Sequence, residues 1–190
     1  DSGDPMRIKV QSDELKYFSY NKKTYLIGNV KMIRENDIIY AEKVELNNDE
    51  NLISISGGFY VENEEYIASA NQMIIHIDDD KAELIGNVRI FRPAEEVTGE
   101  EGDDRENEVR QLDTWIQGDY LSQVELDGDE KLTVISGNVI IKQPDKIMKG
   151  QKVTFINGKK FTVEGFVDVD LDNLHWALRP EKRQAVTNND

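Results

Sequence analysis

The chain has 190 residues, a length that fits one domain. Its net charge is −15 and its hydrophobic content is 38%. The charge argues against DNA, RNA and docking on an anionic membrane through a basic patch, because like charges repel. The chain has no cysteine, which excludes disulfides and thiolate metal sites.

The first residues carry no targeting signal. The sequence begins Asp1-Ser2-Gly3 without methionine, so we expect a trimmed or mature form from which a signal peptide or an N-terminal anchor was removed. No run approaches the roughly 20 apolar residues of a membrane-spanning helix.

Predicted strands follow one another along most of the chain. Alternation of apolar and polar residues, which indicates a strand with one buried face, begins at residues 6–10 and continues to 161–169. Turn-forming residues separate the alternating runs. The intervening strands are predicted at 15–17, 25–33, 38–46, 53–61, 66–77, 82–91, 112–126, 132–141 and 147–156.

The strands form a repeat. One kind of strand carries Gly followed by x-apolar, with equivalent glycines at Gly28, Gly57, Gly86, Gly137 and Gly165. A second kind carries small-x-x-apolar and begins at Ala41, Ala70 and Gly150, at a constant distance after its glycine. The first three of these glycines are 29 residues apart. A fixed period of this length is typical of repeat architectures. The sequence therefore predicts about five two-strand units.

Two segments break the repeat within a predicted single domain of residues 1–190. Residues 93–110 are crowded with Asp and Glu, and we expect a disordered loop because almost nothing there can be buried. A calcium site is the alternative, but the ligand spacing of a calcium loop is missing. The polar tail at 180–190 is expected to be loosely ordered.

The alternation places apolar side chains in rows on one face of each strand. Two one-sided sheets must bury such rows against each other. The rows form either a closed core or the walls of an apolar groove that holds a ligand, and periodicity alone favours the core. The candidate groove residues are Leu26, Val30, Met32, Val44, Leu46, Ile55, Phe59, Val61, Met73, Ile75, Leu84, Val88, Ile90, Leu121, Val139, Ile141, Val153, Phe155, Val163 and Val167.

Catalytic motifs are missing from the sequence. His76 and His175 are its two histidines, and His76 is predicted to face away from Met73 and Ile75. No convincing Ser-His-Asp order and no phosphate-binding glycine loop occur. We therefore predict no enzyme, no cofactor, no catalytic residue and no metal site.

The repeated units resemble a known family. Ser12–Tyr17, Gly28–Lys31 and Ala41–Leu46 are similar to the recurring pattern of the OstA-like, LptA-related domain of lipopolysaccharide-transport proteins, and the match extends from Met6 to Val169. This resemblance implies an all-β open β-jellyroll, or β-taco, of two packed antiparallel sheets in the periplasm. It also implies that the groove carries lipid A acyl chains from the inner to the outer membrane.

The resemblance implies partners and leaves alternatives. The implied partners are lipopolysaccharide or a related lipid and other OstA-like proteins, joined through terminal strands into an end-to-end homo-oligomer, with no nucleic acid. An LptC-like, membrane-anchored component of the same pathway is one alternative. A structural β-solenoid polymer with a closed core and no ligand is another.

Overall fold

The computed structural model describes residues 8–34, 36–94, 112–126, 130–156, 160–165 and 168–171. Several predictions fall outside these ranges. They are most of the acidic segment at 93–110, the turns at 127–129 and 157–158, the groove residue Val167, and the tail at 180–190.

Every strand within the described ranges belongs to one antiparallel sheet of 14 strands, which confirms the predicted all-β class. The strands are β1 (Ile8–Gln11), β2 (Glu14–Phe18), β3 (Lys23–Arg34), β4 (Asp37–Asn47), β5 (Leu52–Ser56), β6 (Tyr60–Glu62), β7 (Ile67–Ser69), β8 (Gln72–His76), β9 (Lys81–Arg92), β10 (Thr114–Leu126), β11 (Glu130–Gln143), β12 (Lys146–Ile156), β13 (Lys160–Glu164) and β14 (Asp168–Leu171). No helix in these ranges has the length and apolar character of a membrane span.

The sheet is divided lengthwise into two leaves. Leaf A contains β1, β6, β7 and β14 with the adjoining halves of the long strands, and leaf B contains β2, β5, β8 and β13 with the other halves. In β3, for example, Lys23–Ile27 pairs with β2 while residues 31–34 pair with β1. The predicted two sheets are therefore the two leaves of one continuous sheet.

The boundary between the leaves follows the repeated glycines. Pairing of β3 with β4 shifts register between Ile27 and Val30, where Gly28 has φ 75° and Asn29 φ 45°. The same pair of positive angles recurs at Gly86-Asn87 and Gly137-Asn138. An extra residue on one strand bends that strand and increases its twist. Each repeat therefore carries its own bend at the same height.

An acidic or amide side chain from the neighbouring segment lies over the bends at Gly28, Gly86 and Gly137. The Asp13 carboxylate accepts a hydrogen bond from Nδ2 of Asn29 at 2.8 Å, and its backbone N–H donates to the Gly28 carbonyl at 3.0 Å. A Cβ at Gly28 would lie 2.7 Å from Oδ2 of Asp13. Glycine is therefore required both by the positive φ and by this contact.

The structure divides three strands that the sequence predicted as continuous. The predicted strand 53–61 is interrupted at Gly57-Gly58, 66–77 at Ala70-Asn71, and 161–169 after Glu164. These interruptions lie at the boundary between the leaves, where other strands pass through a bulge. In 53–61 and 161–169 the prediction was wrong because the sequence alternation continues across the bend although the ladder does not. In 66–77 it was wrong because the change of phase between Ala68 and Met73 was overlooked.

The inner faces of both leaves form one hydrophobic cluster. Ile53, Ile55, Ile75 and Val88 have 0% exposure, and they come from both leaves. Because these side chains are fully covered, the leaves pack face to face along this part of the sheet.

Candidate functional site

The predicted groove residues all face the space between the leaves, wherever the structure describes their side chains. Four are half-buried against the cluster, namely Leu46, Ile90, Phe155 and Val163. The others are buried, namely Leu26, Val30, Met32, Val44, Ile55, Phe59, Val61, Met73, Ile75, Leu84, Val88, Leu121, Val139, Ile141 and Val153. Val167 lies outside the described residues.

A cavity of about 400 Å³ separates the leaves in the middle of the chain. This volume lies within the range of small-molecule sites. Six predicted groove residues line it, namely Val61, Met73, Leu84, Ile90, Leu121 and Phe155. Most of the remaining groove residues contribute to the packed core instead. The inner rows therefore form a packed core along one part of the sheet and line a cavity along another.

The candidate set omitted several side chains that line the cavity. Ile39, Ala68 and Ile116 are buried and belong to its wall. The buried residues of β4 are Ile39, Ala41 and Val44. The first two are two residues apart but the third follows after three, so strict alternation fails in this strand. The small-x-x-apolar pattern already contains this spacing of three. It was the available signal that the second strands change phase at the bend.

Polar groups surround one side of the cavity. Asp37 accepts hydrogen bonds from Nδ2 of Asn63 at 2.7 Å and from the Tyr66 hydroxyl at 3.2 Å. Burial raises the pKa of Tyr66, and the neighbouring Asp37 charge raises it further, so Tyr66 stays a neutral donor. Arg92 and Lys131 also line the cavity. A ligand in this cavity would meet an apolar wall and a polar, charged margin.

The histidine in the described residues is not part of the cavity. Nε2 of His76 lies 2.8 Å from Oε2 of Glu83, and His76 pairs with Lys81 on the outer face of leaf B. No group of three or more His, Cys, Asp or Glu side chains within the described ranges is arranged to hold a metal ion. The groups at the cavity are suited to binding by apolar contact and hydrogen bonding.

The fold and cavity define a repetitive antiparallel β-protein with an apolar space between two leaves. Residues 9–101 match the family described as "LptA/(LptD N-terminal domain) LPS transport protein". This match covers 93 of the 190 residues and confirms the predicted resemblance to OstA-like lipopolysaccharide-transport proteins. The Gly-Asn bend recurs outside the matched segment at Gly137-Asn138.

Other comparisons are more distant. No curated protein matches the chain. Among solved structures, LptH of Pseudomonas aeruginosa, the LptA homologous periplasmic component of the conserved lipopolysaccharide transport device, is similar at 12% identity and a TM-score of 0.35. The alignment covers 87% of this chain and 95% of LptH. A TM-score this low does not establish a shared arrangement.

Proposed function

We propose that this protein is a periplasmic component of lipopolysaccharide transport that holds lipid acyl chains between its two leaves. The observation that carries the proposal is the cavity of about 400 Å³ with its wall of aliphatic and aromatic side chains. The family match over residues 9–101 supports lipopolysaccharide as the lipid. The protein acts by binding alone, without a chemical step of its own.

The wall suits a cargo that must both bind and move. Each acyl CH₂ removed from water contributes about 0.8 kcal/mol. Met73, Leu84, Leu121 and Phe155 offer such contacts without hydrogen bonds that would fix one position. Binding is therefore the sum of many weak contacts. A chain can slide along them with little loss at each step.

Photocrosslinking tests this proposal. A photoreactive residue replaces Met73, which lines the cavity, and separately Ile74, the next residue of β8, which faces outward. In cells with an outer membrane we expect lipopolysaccharide adducts at position 73 and none at 74. If the folded protein gives no adduct at 73, or equal adducts at both positions, the proposal fails.

The first edge of the sheet supports an end-to-end assembly. Val10, Leu15 and Tyr17 are 38%, 63% and 56% exposed although they pair with the inward-facing Met32, Leu26 and Thr24. These three side chains occupy inward positions but have no further strand beside them to cover them. A strand from another OstA-like protein, or from a second copy, would extend both the ladder and the apolar space.

A ligand-free structural polymer is the second candidate. The complete burial of Ile53, Ile55 and Ile75 favours it, because this part of the interior has no room for lipid. Absence of adducts at position 73 together with end-to-end association would support this candidate. An LptC-like role in the same pathway predicts the same adducts and differs only in an N-terminal anchor.

A further inference from the structure

The outer face of leaf A carries an unexpected apolar row. Ile33 pairs with Ile38, Ile67 with Phe91, and Phe91 with Trp115, and these positions alternate with the buried inner residues. A sheet with one buried face is normally polar on the other. The row is therefore not explained by the packing of the two leaves.

Aromatic side chains make this face continuous. Tyr60, Ile67 and Trp115 are 43%, 47% and 44% exposed. The rings of Phe91 and Trp115 lie 5.2 Å apart between centroids, and Tyr40 stacks on Tyr60 at 4.8 Å. Contiguous exposed apolar surface of this kind marks an interaction site.

The same face is basic although the chain has a net charge of −15. Among its paired outward positions from β1 to β11, Lys9, Lys31, Arg89 and Lys142 stand against the acid Glu62. Exposed Glu42 and Asp119 follow at unpaired bulge positions on the boundary with leaf B. Lys9, Arg89 and Lys142 are exposed. The charge of the whole chain therefore does not describe the charge of this face.

Two boundaries delimit the basic face. On the outer face of leaf B, cations are balanced by acids, as where Nζ of Lys81 lies 2.9 Å from Oε1 of Glu83. At the far edge of leaf A, the register sets Asp168 of β14 opposite Lys149 of β12. The four cations lie on β1, β3, β9 and β11, on and around the strands that carry the aromatic side chains.

We propose that the outer face of leaf A docks on an anionic lipid bilayer. Aromatic rings favour the region between headgroups and acyl chains, and nearby Lys and Arg side chains are attracted to anionic headgroups. At physiological ionic strength charges are screened within about 8 Å, so acids on leaf B do not cancel this attraction at contact. Charge complementarity thus selects a negatively charged surface, and the aromatic row selects a lipid one.

Vesicle flotation tests the proposal with the complete protein. We expect it to float with phosphatidylcholine–phosphatidylglycerol vesicles and not with phosphatidylcholine alone. The double variant Lys31→Glu/Arg89→Glu should bind the anionic vesicles at least about tenfold more weakly. The matched control Lys16→Glu/Lys43→Glu changes the same charge on the outer face of leaf B and should bind like the unmodified protein.

Fluorescence provides an independent readout. The variant Trp176→Phe leaves Trp115 as the only tryptophan, since the chain has two. Its emission should shift to shorter wavelength on anionic vesicles. Equal binding to both vesicle types, no binding, or equal loss in both double variants would overturn the proposal.

Sedimentation identifies the competing occupant. One outcome is that Lys31→Glu/Arg89→Glu abolishes self-association while the unmodified protein does not bind vesicles. In that case the face is an interface between copies of the chain, and the proposal of bilayer docking is wrong. These vesicles contain no lipopolysaccharide. The result is therefore independent of whether the cavity carries lipid A.

Discussion

Arg34 and Asp80 connect the open edges of the two leaves, with Nη2 of Arg34 lying 3.8 Å from Oδ1 of Asp80. Arg34 ends β3 in leaf A, and Asp80 belongs to the turn before β9 in leaf B. Arg34 also lines the cavity. This ion pair therefore links the two leaves beside the cavity.

Removing the charge of Asp80 should ease entry with little effect on folding. We expect Asp80→Asn to change the free energy of unfolding by no more than about 1 kcal/mol, because Asp80 is half exposed. Uptake of a fluorescent fatty acid, followed by stopped flow, should become faster. The control Asp49→Asn breaks the exposed Lys22–Asp49 pair within leaf B and should leave uptake unchanged. Equal rates in the two variants would contradict a gating role for Asp80.

The packed and the open parts of the interior should respond differently to truncation. Ile75→Ala removes a side chain with 0% exposure and should cost about 2–5 kcal/mol. Ile90→Ala should cost less, because Ile90 is half-buried and already borders the cavity. Urea unfolding of both variants measures the difference. Equal losses would mean that the cavity is not an open space in solution.

The glycine at the bend should be replaceable only where the neighbouring strand leaves room. Gly137 and Gly57 have similar φ angles of 76° and 72°. A Cβ at Gly137 would lie 2.5 Å from Oδ2 of Asp119, whereas none of the described atoms comes within 4 Å of one at Gly57. Both alanine variants incur about 1–2 kcal/mol of backbone strain.

Gly137→Ala should be the more destabilising of these two variants. Its Cβ displaces the Asp119 carboxylate, which accepts a 2.8 Å hydrogen bond from Asn138. Thermal melting compares the variants directly. If Gly57→Ala is as damaging as Gly137→Ala, the contact with Asp119 is not what requires glycine.

Low pH should destabilise the folded protein through protonation of Glu83 on the outer face of leaf B. Burial tends to raise its pKa, but hydrogen bonds from Tyr120, Lys81 and His76 outweigh burial and lower it to about 2. At pH values between this pKa and the unfolded pKa near 4.5, Glu83 binds a proton in the unfolded chain more readily than in the folded protein. Glu83 therefore contributes stability above pH 4.5 that is lost as pH falls towards 2.

The variant Glu83→Gln isolates this contribution. Its free energy of unfolding should be lower than that of the unmodified protein near neutral pH, and the two should converge below pH 3. Urea titrations across this pH range measure both curves. A constant difference would show that the carboxylate charge is not responsible.

Charge on the exposed first edge should prevent assembly. We expect Leu15→Glu/Tyr17→Glu to reduce end-to-end association, because a partner strand would have to bury both carboxylates. Sedimentation velocity compares oligomer size with that of Tyr20→Ser, which changes an 82% exposed turn residue. If the double variant assembles normally, the first edge is not the interface.

Much of this architecture could be predicted from the sequence, because the repeat fixes both strand order and bend position. Gly28 and Gly137 are glycines for the same steric reason, and the inward rows follow from alternation. The burial of Ile39 was missed because a bulge changes the phase of its strand. Alternation alone could not decide between a core and a cavity, since that depends on how far apart two rows stand rather than on which residues they contain, and the groove was implied only by the family resemblance.

The basic face shows a second limit of sequence reasoning. Lys9, Lys31, Arg89 and Lys142 are far apart along the chain, and only the pairing of strands brings them to one side. A sum of charges contains no information about such sorting. The total of −15 therefore described the solution behaviour of the chain and not each of its faces.

The Gly-Asn bend separates the width of this protein from its length. Because the units at Gly28 and Gly137 each hold their bend with a local Asn-to-Asp hydrogen bond, adding such a unit would lengthen the stack by about 4.8 Å per strand without moving the bend. A chain built in this way can change in length by gain or loss of units, while the position of the bend across the sheet is fixed separately within each such unit.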